Sequence, residues 1–179
     1  MTRIYLLSYL FVFVACTNDP VDVKNFIANE VQAVEQIKGA ELVHTENGRL
    51  KLKIICGKIE RFSKRQPSVI FSEYLAVYFY NDSLEVQSIL KSERASINEE
   101  TQIMLAEKNV ELSGVGNKKL ETEELIWDEA NDKIYTDKEV KITTGKEIIY
   151  GQGFVSNSEF TKYSILNIHG TFDLDVATN

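Results

Sequence analysis

Leu50-Lys51-Leu52-Lys53-Ile54 alternates apolar and basic side chains residue by residue, and this period of two decides how the chain is read. Successive side chains of a strand point to opposite faces, so the segment reads as a half-buried strand with Lys51 and Lys53 in a solvated outer row. Leu75, Val77 and Phe79 interleave with Tyr74, Ala76, Tyr78 and Tyr80, a run apolar on both faces that suits a central or doubly covered strand. Ile134 with Thr136, Val140 with Ile142, and Ile148 with Tyr150 repeat the period. Turn-forming groups fall between these runs: Glu46-Asn47-Gly48, Asn81-Asp82-Ser83, Gly114-Val115-Gly116-Asn117, Asn131-Asp132, Gly145 and Asn157-Ser158. Short strands with turns every ten or so residues predict an all-β domain: a sandwich, a barrel or an open jelly roll.

The chain also resembles itself at an offset of 30 residues. Leu90-Lys91-Ser92-Glu93 falls on Leu120-Glu121-Thr122-Glu123, and Ile97-Asn98-Glu99 on Trp127-Asp128-Glu129. Glu107-Lys108-Asn109-Val110-Glu111-Leu112 then falls on Asp137-Lys138-Glu139-Val140-Lys141-Ile142 without a gap, and a fainter copy begins near Tyr150. A single strand-turn-strand unit cannot bury its apolar face alone, so successive units must stack or wrap. Chance likeness between two hairpins is the blander account; ungapped agreement over this length favours a repeat.

Composition agrees with a folded sheet. The 179 residues suit one domain with an appendage, 44% are hydrophobic and 26% charged, and only two are proline against eight tyrosines and nine phenylalanines. A net charge of −7 argues against nucleic acid, whose phosphates require a basic patch.

At the N-terminus Arg3 precedes an apolar run from Ile4 to Ala15, and Cys16 follows. Twelve residues make roughly 18 Å of helix, short of a ~30 Å hydrocarbon core, so residues 1–15 read as a signal peptide. Phe13-Val14-Ala15-Cys16 resembles the bacterial lipoprotein signal, with Ala15 as the small residue before an acylated cysteine and Phe13 departing from the usual leucine. An ordinary export signal, or a buried strand, is the alternative. Residues 16–39 read as a lipidated tether containing Pro20, with a short helix possible from the spacing of Phe26, Ile27, Val31, Val34 and Ile37 and a stop at Gly39. Residues 40–174 are the β domain and 175–179 a tail. Cys56 continues the face of Leu50, Leu52 and Ile54, as a small buried hydrophobe would; a disulfide with Cys16 is the minor alternative.

The chain offers little chemistry. His44 and His169 share no metal-ligand spacing, and there is no nucleophile elbow or phosphate loop. Gly151-Gln152-Gly153 is too short for a dinucleotide fingerprint and reads as a bulge or close backbone approach. Glu121, Glu123, Glu124, Asp128 and Glu129 form a charge run, ordinarily a solvated face. Trp127, the single tryptophan, follows Leu125 at strand spacing and reads as a core or groove anchor. No enzyme, metal or cofactor is expected.

The run Lys119–Gly145 (KLETEELIWDEANDKIYTDKEVKITTG) resembles the lipopolysaccharide export family LptC, and Gly48–Lys53 (GRLKLK) and Gly151–Phe154 (GQGF) fit the same family. The likeness covers roughly residues 40–172. It implies an open, curved antiparallel β-jelly-roll of the OstA-like kind, standing in the periplasm between an inner-membrane ABC transporter and a bridge protein of similar fold. It implies lipopolysaccharide as cargo, received from the transporter's membrane subunits and passed along an apolar trough. Members typically anchor through one membrane-spanning helix; here a lipid on Cys16 would replace it, the inner membrane being the expected one. The candidate trough lining is Val110, Leu112, Val140, Ile142 and Ile148, the same side chains filling a closed core in the opposing account. A surface β-sandwich lipoprotein that binds glycans is the rival reading of function.

Overall fold

The computed structural model describes residue 33 and residues 35–145 and 147–169. Cys16, the residues read as a signal peptide and most of those read as a tether lie outside them. The described residues of the larger unit, which begins at Ala33, form one antiparallel sheet of eleven strands.

In chain order the strands are β1 (Glu35–Glu46), β2 (Arg49–Arg61), β3 (Val69–Tyr80), β4 (Val86–Ser92), β5 (Arg94–Asn98) and β6 (Ile103–Gly114). They continue as β7 (Lys118–Asp128), β8 (Lys133–Thr143), β9 (Ile148–Ser156), β10 (Tyr163–Ile165) and β11 (Ile168–His169). Their spatial order follows the sequence. β4 and β5 share the place between β3 and β6, divided at Glu93, while β10 and β11 both pair with β9. The sheet is thus a meander, as hairpin turns of this length dictate.

Ile37 and Gly39 correct part of the sequence reading. They do not end a helix but belong to β1, where Ile37 pairs with Ile59 and Gly39 takes φ +61. The reason is tertiary: an edge ladder with β2 satisfies this backbone, which a short, weakly periodic helix would have to do alone. Phe26, Ile27, Val31 and Val34 lie outside the described residues.

The strands break register along one line across the sheet. Shifts fall between Cys56 and Lys58, Glu107 and Val110, Thr122 and Ile126, and Thr136 and Glu139. Glu73, Lys108 and Asn109 on the same line have φ of 70°, 66° and 50°. Here a Cβ on Gly57 would stand 2.6 Å from that of Glu73, so only glycine fits. Bulges bend a sheet, and a line of them makes a crease. The described residues contain no helix to cover a sheet face. The near-complete burial of Val77, Leu90, Leu112, Leu120, Leu125, Ile134 and Phe154 therefore means that the sheet has folded onto itself. The result is a β-jelly-roll.

Both repeat units are visible in the register. Leu90 pairs with Leu112 and Ile97 with Met104; thirty residues on, Leu120 pairs with Ile142 and Trp127 with Ile134. Each unit is one hairpin of the meander.

Candidate functional site: the interior and its seam

Cross-strand partners lie on the same face of a sheet, so the register defines the rows of the interior. One row runs Leu42, Ile54, Val77, Leu90, Leu112, Leu120, Ile142 and Ile149, from edge strand β1 to β9. Every member is an aliphatic residue. Its middle is fully buried, whereas Leu42 at the edge is 37% exposed. Val110 and Val140 flank the row beside the crease, joined through Thr122 between them.

Four of the five residues expected to line a trough are therefore together. Val110, Leu112, Val140 and Ile142 are between 0% and 2% exposed and belong to one core cluster. In this structure they are part of the hydrophobic core. Ile148 is not with them. It is 50% exposed and pairs with Thr143, on the outer face; Ile149, opposite Ile142, takes the inward place. The turn closed by the hydrogen bond from Thr144 N to Glu147 O (2.9 Å) sets this phase, and two adjacent isoleucines hide it from a period-two reading.

The folded sheet meets itself along a seam of contacts between strands that are not neighbours. Phe79 on β3 packs edge-to-face against Trp127 on β7, ring centroids 5.2 Å apart and planes at 82°. Further along, the loop after β9 turns inward and buries Phe160 completely against Phe154 and Tyr163. Polar latches hold that loop: Ser88 Oγ donates to Ser158 O and Lys118 Nζ to Phe160 O, each at 2.9 Å. Sequence reasoning missed Phe160, because an aromatic in an Asn-Ser turn carries no sign of which strand it will meet. His44 is exposed on β1 and lines a cleft at the seam.

The outer face is charged. Lys91, Glu111, Glu121 and Lys141 are successive cross-strand partners. Glu111 and Glu121 oppose one another with like charge, relieved by Lys119 Nζ at 3.6 Å and 3.2 Å respectively. The Lys141 ammonium, 3.1 Å away, is the chief influence holding the Glu121 carboxyl below its ordinary value, with Lys119 adding to it. These are structural ion pairs on a solvated face, as the charge run suggested.

Gly151 and Gly153 mark a close backbone approach. A Cβ on Gly151 would stand 2.5 Å from Ile165 Cγ2 and 2.7 Å from Leu166 O. Cys56 is fully buried beside Ala40, and burial pushes its thiol up. Among the described residues no cluster of His, Cys, Asp or Glu could hold a metal, and no helix is long and apolar enough to cross a membrane.

The family described as lipopolysaccharide-assembly, LptC-related, matches residues 5–172. The chain belongs to the LptC-related family. No curated protein matches it. LptC proteins are periplasmic and associated with the inner membrane. Membership carries a role in lipopolysaccharide transport, with lipopolysaccharide as the lipid bound and the Lpt machinery as its setting. LptC proteins act in transport as bridge proteins and are not known as enzymes.

Proposed function

We propose that the domain receives lipopolysaccharide from the membrane subunits of an ABC transporter and passes it to a periplasmic bridge protein of similar fold. In this reading residues 1–15 are removed and a lipid on Cys16 holds the chain at the inner membrane. The tether ends before β1, which opens the working domain at Glu35; residues 175–179 are a tail.

The aliphatic row that runs from edge strand β1 to β9 is the observation that carries this reading. Exposing a twelve-carbon acyl chain to water costs roughly 10 kcal/mol at ~0.8 kcal/mol per methylene. A path across an aqueous compartment therefore has to be apolar from end to end. Val110, Leu112, Val140 and Ile142 line the proposed path, with Ile149 in place of Ile148. Because these side chains fill the interior, a lipid must take their room by parting the layers. Exchange of one apolar surrounding for another is nearly neutral, so direction comes from the transporter's ATPase. Among the described residues no strand pairs with the outer edge of β1 or with the far end of the sheet beyond β9, and these edges would serve end-to-end pairing with neighbouring jelly rolls.

Photo-crosslinking in living cells tests the path. A benzophenone side chain at Ile142, and at the less buried Ile149 where the fold tolerates bulk more readily, is expected to capture glycolipid. Adducts confined to the protein itself at both sites would refute the trough.

A further inference from the structure

We propose that the Phe79–Trp127 contact is a lateral port for acyl chains, at which the indole N–H of Trp127 recognises the ester carbonyl at the head of the chain. The proposal rests on the trough reading and adds where a chain passes the seam and what is recognised there.

Three observations meet at this point. The first is the contact itself, between strands three places apart in the meander, so that separating the two rings parts the layers without breaking any ladder. The second is a cleft of about 590 Å³ on the spot, whose apolar wall is Leu52, Phe79 and Trp127. The third is Trp127 Nε1, which is buried and has no hydrogen-bond partner. A buried donor without an acceptor is penalised, and an incoming acceptor removes the penalty.

The rest of the seam differs. Around Phe160 the loop is latched by hydrogen bonds from Ser88 and Lys118, whereas at the cleft itself the polar contact is Ser158 N to Asp132 Oδ1. At the cleft the closed state leaves the Trp127 donor unpaired, and opening the port parts the two rings and the Ser158–Asp132 contact.

The cleft's rim selects the occupant. Glu46, Glu129, Asp132 and Glu159 face it against Lys51, which disfavours a free fatty-acid carboxylate at the indole. An esterified chain meets no such repulsion: its methylenes take the apolar wall and its carbonyl takes the indole proton. The repeat sharpens the assignment, since Ile97 holds the equivalent place in the preceding unit and offers no donor.

The test measures binding of 1-palmitoylglycerol and of 1-O-hexadecylglycerol, the ether lacking the carbonyl, to the full chain purified from membranes. The native protein is expected to prefer the ester by roughly three- to tenfold, the range of one hydrogen bond. Trp127→Phe keeps the aromatic contact, loses the donor, and should abolish the preference while leaving ether affinity unchanged. Phe79→Ala should speed uptake of both probes severalfold; Phe79→Leu, which keeps most of the volume, does the same if the alanine variant does not fold. A preference that survives Trp127→Phe, or uptake rates unchanged in a folded Phe79 variant, would overturn the port. If both probes bind the native protein equally, the port falls and the trough stands. If neither binds, both fall.

Discussion

The two repeat units, Leu90–Leu112 and Leu120–Ile142, share a framework and differ where the molecule closes. Their inward pairs superpose in register: Leu90 with Leu112 against Leu120 with Ile142. So do their turns. Asn98 Oδ1 accepts from Thr101 N at 3.2 Å, and Asp128 Oδ1 accepts from Asn131 N at 3.1 Å. Gln102 and Asp132, one position further on, have φ of 56° and 47°. At the crease the units part company. The first breaks into β4 and β5 at Glu93, whereas β7 runs on through a bulge. Across the interior the first unit offers Ala95 and Ile97 where the second offers Leu125 and Trp127. Repetition supplies the wall, and departures from it supply the seam.

If the framework is shared, its central residues should be interchangeable in cost. Leu112→Ala and Ile142→Ala, both at 0% exposure, are each expected to lose about 3 kcal/mol of stability in urea titrations, through lost transfer energy and a cavity. A cost at one site several times that at the other would break the equivalence. The turns come next. Asn98→Ala and Asp128→Ala should each cost about 1 kcal/mol by the same titration, the net worth of the side-chain bonds that hold the turn. A neutral result for one alone would show that its turn is held by something other than the repeat.

The smallest expected effect lies on the outer face, where the units differ in charge: Lys91 occupies the place that Glu121 holds thirty residues later. The Glu121 carboxyl is held below its ordinary value of 4.5, first by Lys141. Its contribution is thus complete above about pH 4.5 and lost as pH falls from there through the lowered value. Glu121→Gln should cost roughly 0.2–0.5 kcal/mol at pH 7, allowing for solvent screening, and less at pH 3. Urea midpoints of the two proteins at both values check the sign; a larger gap in acid would reverse it.

Much of this was legible before any coordinates. Alternation at Leu50–Ile54, turn residues at regular intervals and the offset of 30 specify an all-β meander built from copies, because strand geometry prints its period on the sequence. Cys56 and the Gly151–Gly153 approach were readable for the same reason: a small residue where the pattern demands an inward side chain, and glycines where a neighbour's backbone presses in. Tertiary structure alone decided three things. It chose Ile149 over Ile148, since a period fixes alternation but not which face is the inner one. It turned Ile37 and Gly39 into an edge strand, because a distant ladder outweighed a weak local preference. It brought Phe79 to Trp127 and Phe160 to the interior, contacts that exist only once a line of bulges has creased the sheet. That crease resides in the backbone angles of separate strands, and no single stretch of sequence carries it.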